Sequence, residues 1–131
     1  MNEINPLLEK YNSLVNVIMN TDYTVKEYIV TEQKIVTTLK AMRGKLSHEH
    51  LHNITRISKV LSSEAVMVPM AETVGSIKSQ DSFDYLLDQF LECHEYEQEN
   101  HATAMACYEA MVRLDPERVV REGIDQHPSL L

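Results

Sequence analysis

The sequence predicts an all-α fold: an antiparallel bundle of four main helices, the fourth much the longest, with short extra helices near Pro69 and Pro116. Three observations favour this fold. Only 3 Gly and 4 Pro occur in 131 residues, which is few for a fold rich in turns. Apolar residues recur at helical spacing in several segments that begin with capping residues. The stretch 82–114 contains neither Gly nor Pro.

The first three helices are predicted in the N-terminal half. An Asn-Pro pair opens the first helix, which spans about 5–20. Thr24, with Glu27 three residues later, forms the pattern of a capping box, and the second helix follows over 25–43, where a glycine ends it. A serine is expected to cap the third helix, over 47–61.

The segment 62–80 is less regular. Residues 64–68 suit a helix, but we expect Pro69 to break or kink it, because proline lacks the N–H that an interior helical position donates. A cap at Asp81 or Ser82 is predicted to open the long fourth helix.

The C-terminal region carries one more helix signal. Asp115 and Pro116 predict the start of a short helix that ends near Gly123. We therefore expect residues 1–123 to form a single helical domain. Residues 124–131 show no apolar pattern and are expected to form a loose tail.

As one straight helix, 82–114 would be about 50 Å long, whereas a compact domain of this size is about 35 to 40 Å across. Its middle would then be exposed or buried against a second copy, unless the helix breaks near Asn100 and its halves fold back on each other. On a straight helix, Cys93 and Cys107 would lie about 21 Å apart, too far for a disulfide. Free thiols and a reducing, cytoplasmic location are the expectation.

The net charge of −8 arises in one part of the chain. Between Lys78 and Arg113 there is no Lys or Arg, yet eight of the twenty acids lie there; the other twelve acids equal the twelve bases. Six of these eight acids follow one side of the predicted long helix. We call this side the acidic face. Its members are Asp81, Asp84, Asp88, Glu92, Glu95 and Glu99.

Surface helices commonly offset an acid with Lys or Arg four residues on, and this face lacks such a base. It is therefore a candidate contact for a protein partner with a basic surface. Plain solubility and mimicry of nucleic-acid phosphates are the alternatives. Direct nucleic-acid binding is not expected, because phosphate contacts need Lys and Arg.

A second set of polar residues interrupts the predicted apolar stripes, which should face one another inside a bundle. Its members are Glu32, His94, Glu97 and His101, with His50 as an outer member. Inward carboxylates and imidazoles are compatible with a transition metal such as Fe, Mn or Zn. However, Glu97 and His101 lack the Glu-x-x-His spacing of dimetal bundles. A hydrogen-bonded network that fixes the register of the helices is the favoured interpretation.

The segment AMACYEAMVRLDPE, residues 104–117, resembles the second helix and closing turn of a tetratricopeptide repeat. Ala104, Tyr108, Leu114 and Pro116 stand at the positions that carry the resemblance. It implies protein binding. The segment 34 residues upstream lacks the pattern.

No Gly-rich phosphate loop, nucleophile elbow or zinc-protease motif occurs in the sequence. We therefore predict a non-enzymatic, cytoplasmic protein–protein interaction module (an adaptor, assembly factor or inhibitor) that requires no cofactor. It would use the acidic face and form a homo-oligomer through its long helix. A metal-binding helical bundle is the alternative. No signal peptide and no membrane helix are expected, because the sequence has no suitable apolar run.

Overall fold

The computed structural model describes residues 4–20, 24–59, 61, 63–95 and 101–127, without the side chains of 94 and 95. All regular elements in these residues are helical, which confirms the all-α prediction. Three short 3₁₀ turns accompany the α-helices in this described part of the chain. The α-helices are α1 (Ile4–Asn20), α2 (Val25–Met42), α3 (Leu51–Thr55), α4 (Glu64–Val74), α5 (Gln80–Glu95), α6 (His101–Leu114) and α7 (Pro116–Arg121).

The predicted capping signals delimit α2 and α7. Thr24 Oγ1 accepts a hydrogen bond from the Glu27 N–H at 3.1 Å, and the Glu27 carboxylate accepts one from the Thr24 N–H at 2.9 Å. The capping box is therefore formed. Asp115 caps the start of α7, because its Oδ1 accepts a hydrogen bond from the Arg118 N–H at 3.1 Å. The turn after α7 contains Gly123, whose φ of +71° suits a residue without Cβ.

The predicted third helix is only partly α-helical. α3 is five residues long and lies between 3₁₀ turns at His48–His50 and Arg56–Lys59. Side chains here bond to the backbone: Thr55 Oγ1 donates to the Leu51 carbonyl at 2.8 Å, and Ser58 Oγ donates to the Thr55 carbonyl at 2.6 Å. Such bonds compete with regular helical geometry, which accounts for the tighter turns.

The predicted helix break at Pro69 and the predicted cap of the fourth helix are both wrong. α4 continues through Pro69, and the core contacts of Val66, Met70 and Val74, all fully buried, stabilise the helix despite the missing N–H. α5 is capped by Ser79 rather than by Asp81 or Ser82, because the Ser82 N–H donates to Ser79 Oγ at 3.1 Å.

The stretch predicted as one long helix is two helices, α5 and α6, packed antiparallel as a hairpin. On a straight helix Phe90 and Tyr108 would be about 27 Å apart, but their ring centroids are separated by 6.5 Å. At the other end, Gln80 Nε2 lies 3.4 Å from Asp115 Oδ2, so the start of α5 adjoins the end of α6. Of the three alternatives for 82–114, the folded-back one is therefore correct.

The hairpin changes the predicted use of the apolar stripe. Phe83, Leu86 and Phe90 of α5 and Ala104 of α6 are buried within the chain's own core. These apolar side chains are therefore already buried by packing within one chain. Self-association through a long helix would instead require them to be buried by a second copy.

The bundle is not antiparallel throughout. Ser63 Oγ at the start of α4 donates to Glu32 of α2 at 3.1 Å, and Thr73 Oγ1 near the end of α4 donates to the Leu39 carbonyl at 3.1 Å. An earlier residue of α2 is thus bonded to the start of α4 and a later residue of α2 to its end. The two helices therefore run in the same direction. The segment containing α3 lies between them in sequence and contacts α1, where Tyr11 Oη donates to the Ile54 carbonyl.

Part of the region predicted as a tail packs on the domain. Residues Ile124–Gln126 form a 3₁₀ turn, and the Ile124 side chain is buried. The His127 ring meets the Phe90 ring edge-on, with 5.0 Å between the centroids. Residues 128–131 lie outside the described part of the chain.

The described helices include none with the length and apolar character needed to cross a membrane.

Gly75, at the end of α4, permits a close helix contact. A Cβ added there would lie 2.8 Å from Ala110 Cβ of α6 and 3.1 Å from the Ala71 carbonyl oxygen. Because α4 and α6 pack directly on each other at this point, the absence of a side chain at Gly75 sets their separation.

We expect Gly75→Ala to lower the free energy of unfolding by about 1–3 kcal/mol, as overpacking does in other cores. Urea denaturation measures the change. Ala110→Gly removes the opposing methyl group, so the double variant should lose less stability than the sum of the two single variants. Strictly additive losses would show that the two positions do not collide.

Candidate functional site

The acidic face lies on α5 as far as the structure describes it. Asp81, Asp84, Asp88 and Glu92 are all exposed on this helix. Glu95 is the last residue of α5 and its side chain is not described, and Glu99 lies outside the described residues. The helical spacing of the first four acids therefore places them on one exposed surface, as predicted.

Folding divides this surface into a paired half and an unpaired half. Asp81 Oδ2 lies 2.6 Å from His48 Nε2, and Asp84 Oδ1 lies 2.7 Å from Arg118 Nη2. All twelve Lys and Arg lie within the described residues, and none of them forms an ion pair with Asp88 or Glu92. Asp88 and Glu92, near the C-terminal end of α5, therefore lack the side-chain partners that Asp81 and Asp84 have.

Leu91 lies between these two acids in sequence and is 42% exposed. It is among the few large apolar side chains that the described surface leaves open. An exposed apolar side chain bordered by unpaired charges has the composition of a small interface: apolar contact with a charged surround.

Arg118 of α7 fixes the paired half, and sequence reasoning did not identify it. Its side chain is 17% exposed. Nη1 donates to Gln80 Oε1 at 2.8 Å, Nη2 bonds to Asp84, and Nε donates to Glu122. Its Cζ lies 4.1 Å from the centroid of the Phe83 ring, a cation–π geometry. These contacts join α7 to the first turns of α5.

Of the contacts that Arg118 makes, only the local one with Glu122 could be predicted from the sequence. The i, i+4 spacing of Arg118 and Glu122 can be read from the sequence, whereas the contacts with Gln80, Phe83 and Asp84 span more than thirty residues. They depend on the antiparallel packing of α5 and α6, which periodicity does not reveal.

Arg118→Met keeps the length of the side chain but removes its charge and hydrogen bonds. We expect it to lower the free energy of unfolding by about 1–2 kcal/mol, because charged hydrogen bonds and the ring contact are lost together. Arg121→Met, at an exposed position on the same helix, is the matched control and should change stability by less than about 0.5 kcal/mol. Equal effects in chemical denaturation would contradict the role given to Arg118.

The structure describes the side chains of only part of the inward Glu/His set. Glu32 is half-buried on α2 and accepts a hydrogen bond from Ser63, while His101 is exposed at the first position of α6. Glu97 and the side chain of His94 lie outside the described residues. Because His94 and His101 belong to two different helices, the reasoning that put them on one face does not apply.

Within the described residues, no group of three or more His, Cys, Asp or Glu side chains is arranged to hold a metal ion. His50, the predicted outer member, has a local role instead: its Nδ1 accepts a hydrogen bond from the Ser47 N–H at 3.0 Å.

Cys93 and Cys107 are both free thiols, as expected. The predicted separation of about 21 Å was wrong, since it assumed a straight helix. They lie on facing helices of the hairpin, near enough that charge on Cys93 raises the pKa of Cys107. Burial is the main cause of the raised pKa of both thiols. Raised pKa values disfavour the thiolate and make both cysteines poor nucleophiles.

A half-buried polar cluster joins α1 to the segment around α3. Asn53 Nδ2 and Arg56 Nη2 both donate to Asn12 Oδ1, at 2.9 and 3.2 Å. Arg56 is half-buried. Burial raises the pKa of Tyr11 and of Tyr85 above the ordinary tyrosine value. The cluster ties the segment around α3 to the core.

Comparison of the chain with protein-family models, with curated proteins and with solved structures found no match. The resemblance of 104–117 to a tetratricopeptide repeat therefore rests on those residues alone. In the structure they form all of α6 after its first three residues, the closing turn at Asp115 and the first two residues of α7.

Proposed function

We propose that this protein is a non-enzymatic, intracellular protein–protein interaction module, acting as an adaptor, assembly factor or inhibitor. Its contact surface is the unpaired half of the acidic face, Asp88 and Glu92, together with Leu91. The partner presents Lys or Arg side chains around a small apolar depression. The surface is defined by charge and exposure on one helix and requires no bound cofactor.

One observation carries this proposal: Asp88 and Glu92 are exposed one turn apart, and no Lys or Arg of the chain pairs with them. Like charges at i, i+4 destabilise a helix by about 0.2–0.5 kcal/mol. A basic partner relieves this repulsion when it binds. The same charges accelerate encounter with a positive surface, and this acceleration weakens as salt is added.

The paired half of the face supports the choice of surface. Asp81 and Asp84 are already engaged by His48 and Arg118, so a partner gains less by contacting them. Arg118 also holds α7 against the start of α5, which keeps α5 in a fixed position for binding. A preformed helix surface loses less entropy on association than a flexible one.

The partner is identified by placing a photo-cross-linking amino acid at position 91 and, as the control, at the exposed Glu9 of α1. The protein is cross-linked inside cells that express it. Position 91 should give a discrete adduct with a protein that exposes a basic surface, and position 9 should not. The same adducts from both positions, or none from position 91, would contradict the proposal.

The purified partner then allows a charge-reversal test. Asp88→Lys combined with Glu92→Lys should weaken binding at least about tenfold at 0.15 M salt and flatten its salt dependence. Glu9→Lys combined with Glu117→Lys changes the net charge equally at exposed sites off α5 and should change Kd by less than about twofold. If both double variants weakened partner binding equally, net charge alone would explain the effect. That result would contradict a contact on α5.

A further inference from the structure

The α5–α6 hairpin brings together the two basic residues that border the base-free stretch of the sequence. Lys78 precedes α5 and Arg113 lies in the last turn of α6. Because the helices are antiparallel, both residues line one open cleft of about 880 Å³. The rest of the lining includes Gly44, Gly75, Ser76 and Ser79, and no Asp or Glu is among the lining residues. The charged residues of the lining are therefore both cations, and the Asp115 carboxylate beside the cleft is bonded to Gln80.

Hydrogen bonds fix the walls of the cleft. The Gly44 N–H donates to Ser76 Oγ at 3.0 Å, and Ser76 Oγ donates to the Thr73 carbonyl at 2.6 Å, which joins the end of α2 to the end of α4. Ile77, which precedes Lys78, is 1% exposed and anchors the loop in the core. On the other side, Ser79 caps α5. Lys78 therefore projects from a loop that is held at both ends.

The same bonds show which groups remain available to a ligand. The Ser76 and Ser79 hydroxyls are engaged within the protein. Gln80, also in the lining, is bonded to Arg118 and Asp115. Neither Lys78 nor Arg113 forms an ion pair with a carboxylate in the described part of the chain. The uncommitted charged donors of the cleft are thus these two cations.

We propose that this cleft binds a small phosphomonoester, with Lys78 and Arg113 contacting its phosphate group. A phosphomonoester carries a charge of about −1.5 to −2 at pH 7, which matches the two cations of the cleft. A ligand with a single carboxylate would carry only about half of that charge. Arg and Lys are the side chains that recognise phosphate most often. The volume exceeds that of a phosphate ion and lies in the range of small-molecule sites, so the organic part of the ligand has room. Two cations are too few to bind the row of phosphates along a nucleic-acid backbone.

The test is a titration of the ¹⁵N-labelled protein followed by backbone amide shifts, at constant ionic strength. The probes are inorganic phosphate, adenosine 5′-monophosphate, adenosine and acetate. Phosphate and the nucleotide should shift amides of residues 44, 75–79 and 113, and adenosine and acetate should not. Equal shifts with acetate, or no cleft shifts with phosphate and nucleotide, would overturn the proposal. Shifts with phosphate but not with the nucleotide would reduce the site to free phosphate and overturn the assignment to a phosphomonoester.

Variants locate the site. Lys78→Gln with Arg113→Gln should weaken phosphate binding at least about tenfold, since both charged contacts are lost. Arg113→Lys alone, which keeps the charge, should retain most of the affinity. Lys34→Gln with Arg121→Gln makes the same charge change at exposed sites outside the cleft and should leave the affinity within about twofold. An equal loss in this control pair would show non-specific attraction and overturn the proposal.

Discussion

The burial of Phe90 holds together the part of the molecule from which its proposed functions arise. This ring is fully buried on α5, packs beside Tyr108 of α6, and is met edge-on by His127 beyond α7. Aromatic rings bury large apolar areas and favour tilted or edge-on contacts of this kind. One side chain of α5 thus contacts both α6 and the C-terminal turn, and its burial is part of the apolar core that holds the antiparallel hairpin together.

The hairpin determines where the charges lie. It buries the apolar faces of both helices and leaves Asp88 and Glu92 exposed, with no Lys or Arg within pairing distance. It also brings Lys78 and Arg113 to a single cleft at its open end. A straight helix would have placed these two cations about 50 Å apart. The acidic surface and the basic cleft therefore follow from one packing arrangement, although a protein partner and a small anion would bind to them independently.

Local signals in the sequence predicted local structure well. The capping box at Thr24 and the Asp-Pro start of α7 are present, because such caps depend on residues three positions apart. Pro69 misled the prediction, since burial of α4 outweighs one missing hydrogen bond. The reversal between α5 and α6 was one of several alternatives at the level of sequence, because 82–114 contains no Gly or Pro and its helical spacing continues into α6. The acidic face was predicted from spacing alone, whereas the Arg118 contacts and the cleft require the tertiary arrangement.

The antiparallel packing of α5 and α6 is tested most directly by a distance between spin labels at Asp81 and Glu109, both exposed. Asp81→Cys and Glu109→Cys are introduced together with Cys93→Ser and Cys107→Ala, and the distance is measured by double electron–electron resonance. The hairpin predicts a distribution centred at or below about 25 Å, because neighbouring helices pack 8–10 Å apart and the sites are only a few turns offset. A distribution centred near 42 Å, the value for a continuous helix, would contradict the hairpin and both surfaces derived from it.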